Sequence, residues 1–228
     1  CALGVRGALD AGGLCGLVAA LPISSVGVIL ASVGLFTTAS LSAALYYMVH
    51  STLVVAALFL LVELIASQRG DARDKLLPAL PVAQPITLGL MTVLAAASVA
   101  GLPPLPGFLG KLMILQSASS NSANIWVWSV VLVASFLSLI GLARAGSTLF
   151  WNVLPEPPPP TASSALSSTG LSTPVLASTL GLLALGLMLA AGASPMKRYT
   201  DAAAAQLADR AAYANAVLGP LGGAAAET

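Results

Sequence analysis

The run Ala100-Gly-Leu-Pro-Pro-Leu-Pro-Gly-Phe-Leu-Gly-Lys111 lies in the middle of an apolar stretch from Pro85 to Ala118. That stretch is too long for one straight helical crossing of a bilayer, which takes roughly 20 apolar residues. Pro103, Pro104 and Pro106 lack backbone donors and forbid a continuous helix, and Gly101 and Gly107 bracket them. The stretch therefore reads as a broken helix, two half-helices within a single crossing. Carbonyls freed at such a break need partners in protein or water, because lipid offers none. Lys111 follows the break by about one helical turn. A charge at the centre of a span costs ~2.5 to 3.5 kcal/mol on insertion scales, so a lysine there needs a reason. Either it snorkels toward one membrane surface, or it is held at the break, where loss of hydration brings the charged and neutral amine close enough in energy to exchange protons.

Beyond this segment, four more apolar runs reach spanning length: Gly16 to Phe36, Leu41 to Ala66, Ile125 to Phe150 and Pro174 to about Ala193. The composition agrees, with 57% hydrophobic residues, 7% charged and a mean hydropathy of +0.95. So little charge cannot cover a soluble domain of this length. The fold class is thus all-α, a polytopic transmembrane helix bundle of about five spans, one of them broken. A net charge of +1 with no polybasic run argues against nucleic acid as a partner. Arg69, Arg73 and Lys75 cluster after the second span, with Arg6 and Arg144 on the same side. By the positive-inside rule that loop is cytoplasmic and the tail is outside, although Lys197 and Arg198 oppose this.

Along the chain, residues 1–150 read as one translocation region and Pro155 to Thr173, with its Pro157 to Pro160 run, as a linker within 151–173. Residues 174–195 hold the last span. The Ala-rich tail, 196–228, carries Lys197, Arg198, Asp201, Asp209 and Arg210 and is either an interfacial helix or a frayed end. Cys1 and Cys15 have no metal-ligand or redox spacing, and the start at Cys1 suggests a fragment or a truncated gene product.

His50 is the sole histidine and falls near the middle of the second span, with Tyr46, Ser51 and Thr52 as candidate partners for it or for a water. Imidazole suits a proton relay because it accepts on one nitrogen and releases from the other; a neutral histidine bonded to a neighbouring helix is the equal alternative. Glu63 lies thirteen residues further on, about 20 Å along the axis. It is read as a proton-uptake group at the cytoplasmic mouth or, more in keeping with its position, as a carboxylate paired with Arg69. Arg144 reads as an anchor, and Gly181 and Gly186 as helix contacts. No enzyme constellation, haem or zinc spacing is present in the sequence, so no metal or cofactor is expected and transport is the task.

Three runs together, Ile23-Ser-Ser-Val-Gly-Val-Ile-Leu30, Ser42-Ala-Ala-Leu-Tyr-Tyr-Met-Val-His50-Ser-Thr-Leu with Ala56-Ala-Leu-Phe-Leu60, and Ala100 to Lys111, resemble the antiporter-like membrane subunits. That family is shared by respiratory complex I and the multisubunit monovalent cation/proton antiporters, and the likeness leans to the D-type members of the Mrp (Pha) antiporters. It covers about Leu14 to Phe150, and Gly-Leu-Pro-Pro-x-x-Gly-Phe-x-x-Lys is its most specific part. The resemblance implies a longer polypeptide of two inverted five-helix repeats with flanking helices, of which this chain would hold the last five. Lys111 matches the family's lysine on the second broken helix, in the outward half of a proton path, and His50 matches the relay histidine of the preceding helix. Val54 stands where complex I relatives have a lysine, which favours the antiporter type. The charged run before the Ile23 helix is reduced to Gly12 to Gly16, and the first repeat's broken helix would lie upstream of Cys1.

The expectation is a multi-pass protein of the bacterial cell membrane that works in the bilayer with other subunits of a hetero-oligomeric antiporter complex. It would move protons against Na+ or K+ through His50, Lys111 and ordered water. A redox-driven complex I or hydrogenase subunit and a non-transporting truncated fragment are the rivals.

Overall fold

The computed structural model describes residues 1–79, 81–82, 84–119, 124–152 and 173–209. Among them the regular structure is helical: α1 (Ala2–Asp10), α2 (Leu14–Val33), α3 (Thr38–Gln68), α4 (Pro85–Ala100), α5 (Pro106–Ala118), α6 (Asn124–Phe150), α7 (Thr173–Ala191) and α8 (Ala193–Ala208). Four of these, α2, α3, α6 and α7, are long and apolar enough to cross a membrane. The fifth crossing is the pair α4 and α5, separated by residues 101–105. The bundle is therefore the expected polytopic one, with the break where the prolines put it. The linker from 153 to 172 and the tail from 210 lie outside the described residues.

Local sequence sets the starts of α3, α4 and α5. A reciprocal cap opens α3: the Thr37 hydroxyl accepts from the Ser40 amide at 3.1 Å while the Ser40 hydroxyl accepts from the Thr37 amide at 3.2 Å. Proline stands in the first turn of both α4 and α5, where its missing donor costs nothing. At the ends of α6, Trp126 and Trp151 are exposed and about 37 Å apart along the axis, the spacing of two membrane interfaces.

The 31-residue α3 is the central post, packed on by α2, α4, α5, α7 and α8. Toward its C-terminal end, Ala57, Leu61, Leu64 and Ile65 join Leu17 and Val18 of α2, Leu88 of α4 and Leu149 of α6 in one apolar core. A second core near the other end holds Val28, Ala43, Tyr47, Ile114 and Val131. Between the two lies a layer of buried polar groups: Ser24, Ser25, His50, Ser51, Ser98, Lys111 and Ser138. Close helix approach comes from glycines other than the expected ones. A Cβ on Gly181 or Gly186 would meet no atom within 4 Å, so close approach between the described helices does not depend on the missing side chain at either. Between α1 and α2 the tight contacts are at Gly4, whose Cβ would strike the Ser24 amide and Ala20 carbonyl, and at Gly27 beside Cys1. Through them α1 lies antiparallel along α2. At nine residues, α1 is too short to stand out among runs of spanning length.

Arg69 departs from its expected partner. Its guanidinium donates to the carbonyls of Arg73 at 3.1 Å, Lys75 at 2.6 Å and Leu77 at 2.6 Å, and so staples the loop after α3. Burial lowers its pKa from the usual guanidinium value, opposed by nearby Asp74. Glu63 sits on the exposed side of α3, and the described ion pairs are Arg6–Asp10 and Lys197–Asp201, with no Glu63–Arg69 pair. The guanidinium turns into the loop, while Glu63 stands on the outward face of α3. Arg69→Ala is expected to cost about 2 kcal/mol by leaving those carbonyls without their donor, and Arg69→Lys to recover only part of it. The check is thermal denaturation in detergent with proteolysis of the 69–79 loop; an unchanged melting temperature would contradict the staple.

This loop also pairs with the turn between α1 and α2, through Leu14 N to Asp74 O at 2.7 Å and Leu76 N to Gly12 O at 3.0 Å. Arg144 donates to Ala11 O at 3.2 Å. Arg69, Lys75 and Arg144 thus gather at one end of the bundle, while α8 packs beside Ser42, near the opposite end of α3.

Candidate functional site

The last four carbonyls of any α-helix lack partners within that helix. At the end of α4 three devices meet the four of them. Ala97 O accepts from the amides of Gly101 and Leu102, both at 3.0 Å, because Gly101 turns the chain with φ +83°, a left-handed conformation that glycine adopts without strain. Ser98 O interacts with the His50 imidazole. Val99 O and Ala100 O both accept from Lys111 Nζ, at 2.6 and 3.1 Å. The negative end of the α4 dipole and the ammonium attract each other. His50 and Lys111, sixty-one positions apart in sequence, are thereby brought to adjacent carbonyls of one helix end.

Both are interior groups, His50 2% exposed and Lys111 8%, so Lys111 does not snorkel to a surface. Lys111 points back over the break, not onward along α5. His50 takes its partner from α4 and not from its own helix: Tyr46 donates to Leu189 O at 3.2 Å and Thr52 to Met48 O at 2.9 Å. The Tyr47 ring lies against the imidazole at 5.8 Å between centroids. Gly107 makes the junction possible. A Cβ there would run into the Ser98 carbonyl and come within 2.8 Å of His50 Nε2. Gly110 lets α5 close on α3, its own Cβ position lying 3.0 Å from Tyr47 Cδ2.

Each of the two groups borders a small cavity of about 10 Å³. One lies between Lys111, Tyr47 and the serines Ser24, Ser25, Ser135 and Ser138; the other between His50, Ser98 and the α7 residues Leu182, Leu183, Gly186 and Leu187. That volume is about the threshold for one water with polar partners. Ser135 and Ser138 donate to Val131 O and Ala134 O of their own helix, which leaves their lone pairs for a donor. Lys111 has three donors and two carbonyl partners, so one N–H remains for the serine cavity.

The prolines shape the gap: Leu105 N bonds Leu102 O, Phe108 N bonds Leu105 O, and the Pro103–Pro104 peptide is cis. Glu63 is not part of the site, since it lies on the outer face of α3 well along from His50. Ser135 and Ser138 of α6 do not stand out in the sequence, and Ser24 and Ser25 of α2 fall in a run of the family likeness that gives them no role. Their signal is a small polar residue recurring in otherwise apolar spans, which is also how helix contacts look. Among the described residues no cluster of three or more His, Cys, Asp or Glu stands close enough to hold a metal ion.

Residues 14–138 match the family described as NADH:quinone oxidoreductase/Mrp antiporter, transmembrane. The chain is 33% identical over 196 residues to the D subunit of the Na(+)/H(+) antiporter of Bacillus subtilis (strain 168), covering 86% of this chain and 38% of that one. It is also 33% identical over 156 residues to the D subunit of a probable K(+)/H(+) antiporter of Rhizobium meliloti (strain 1021), covering 56% and 29%. Its fold is similar to a chain in the structure of the Mrp complex from Dietzia sp. DQ12-45-1b, with a TM-score of 0.76 and 26% identity over 95% of this chain and 47% of that one. The chain thus spans less than two fifths of the length of these two curated relatives.

Proposed function

We propose, since this chain belongs to the NADH:quinone oxidoreductase/Mrp antiporter transmembrane family, that it carries part of the proton path of a monovalent cation/proton antiporter complex. The observation that supports this most directly is an imidazole and an amine held at neighbouring carbonyls of one broken helix end. Among the described residues neither group is paired with a carboxylate that would fix its charge, and a cavity of one-water size adjoins each. His50 takes a proton on one nitrogen and gives it up from the other, and Lys111 alternates between amine and ammonium while the α4 carbonyls keep it in position. In this reading residues 1–150 are the C-terminal part of the translocation region and α7 and α8 flank it. The partners are other subunits of the complex, the bilayer of a bacterial cell membrane, protons, and Na+ or K+.

The test uses the assembled complex in vesicles, with a Na+ or K+ gradient imposed and internal pH followed by a dye. His50→Gln retains an amide donor for Ser98 O but cannot titrate, and is expected to slow proton movement at least about tenfold. A parent-like rate in an assembled His50→Gln complex would end the relay reading. Whichever ion drives the parent names the cation. The family's shared description with NADH:quinone oxidoreductase supports a second reading, a redox-driven pump using the same residues. Vesicles in which quinone reduction drives protons and a cation gradient does not would favour it.

A further inference from the structure

On α3, Ser42, Tyr46 and His50 recur every four residues, so they share one face and climb about 12 Å along the axis. All three are buried, at 3%, 0% and 2% exposure, in a span that is otherwise largely apolar. A buried polar side chain is costly without a partner, and each of these has one. At the inner end His50 borders the cavity against Gly186 and Leu187 of α7. One turn further along α7, Leu189 O accepts from the Tyr46 hydroxyl, whose lone pairs remain open to a donor. At the outer end the Ser42 hydroxyl bonds Asp201 Oδ1 and lies 3.0 Å from Thr200 Oγ1, both on α8. Asp201 is itself half-exposed and accepts from Lys197 Nζ at 2.7 Å.

We propose that Asp201 is the site at which protons exchange between this ladder and water at the end of the bundle opposite the Arg69–Lys75 loop. The proposal rests on the His50–Lys111 reading and extends it by naming the surface group. A proton leaving His50 travels along this face by way of bridging waters to the Ser42 hydroxyl, which hands its own proton to Asp201 as it accepts the incoming one. Asp201 releases it to bulk water. Asp201 is a carboxylate that touches the buried face of α3, and Lys197 is a cation against it. Hydrogen bonds from Lys197 and Ser42 hold the Asp201 carboxyl below the usual carboxylate range, which suits a group that discharges protons and does not store them.

The same contacts also fasten α8 to α3, so the experiment separates the two roles. Asp201→Asn keeps an oxygen that accepts from Ser42 but carries no proton, and Asp201→Glu restores a carboxylate. Lys197→Gln removes the ion pair and leaves the carboxylate in place. In vesicles holding the assembled complex, Asp201→Asn is expected to lower cation-driven proton movement at least about tenfold, with Asp201→Glu regaining most of it. Lys197→Gln is expected to stay within about twofold of the parent, since an exposed pair contributes little. Parent-like transport by Asp201→Asn would overturn the proposal, as would an equal loss in Lys197→Gln. If His50→Gln stops transport while Asp201→Asn does not, the relay stands and the Asp201 assignment falls; if His50→Gln is silent, both fall.

Discussion

Lys111→Arg is expected to stop cation-driven proton movement in an assembled complex, down to the leak of vesicles without protein. Arginine keeps a permanent positive charge and N–H donors for Val99 O and Ala100 O, but it does not release a proton in proteins. The substitution therefore preserves the cap of α4 and removes only the titration. Lys111→Met removes both, and leaves two buried carbonyls unpaired at about 1 to 3 kcal/mol each. It is expected to lose transport and also to lower the melting temperature. Comparing the two separates a lysine that holds the break together from one that also moves protons. Transport by Lys111→Arg at the parent rate would leave Lys111 as a structural cap and nothing more. An assembled but inactive Lys111→Arg complex is the outcome expected.

Gly107→Ala is the second large effect, and here one methyl group is enough. Its Cβ would overlap the Ser98 carbonyl and crowd His50 Nε2 at 2.8 Å. Backbone cannot yield as a flexible side chain does, so α5 must shift away from the end of α4. Overpacking of this kind costs about 1 to 3 kcal/mol or more. The shift opens the junction that brings His50 to Ser98 and Lys111 to Val99 and Ala100, so transport is expected to fall with stability. Gly110→Ala serves as the comparison, because its Cβ would meet the Tyr47 ring at 3.0 Å, a side chain able to move by a few tenths of an ångström. The larger fall in both melting temperature and vesicle transport belongs to Gly107→Ala. Parent-like values for it would mean that the α4–α5 junction is loose.

Much of this is legible from the chain. Runs of spanning length and prolines without donors are local properties, and they locate the spans and the break without reference to any neighbour. The family likeness singles out His50 and Lys111. The misses are of one kind. Sequence proximity matches Arg69 with Glu63, yet its guanidinium turns to three loop carbonyls that exist only once residues 70–77 fold back. Gly181 and Gly186 have the composition of packing glycines, yet a Cβ on either would touch nothing, whereas one on Gly4 or Gly27 would strike its neighbours. Helix α1 gives no signal of spanning length, and Asp201 stands in an alanine-rich tail with nothing to mark it.

Residence in a bilayer, the number of crossings and the place where one of them breaks are written in the residues alone, because hydropathy and proline stereochemistry act within a few positions. What meets at the break is a property of the folded bundle. Which of four orphan carbonyls faces His50 and which face Lys111 depends on the approach of α3 and α5 to the end of α4. That approach is set by the absence of a side chain at Gly107 and by packing between helices far apart in sequence. Partner choice among buried polar groups is a matter of distance in space, and no spacing along a chain encodes it.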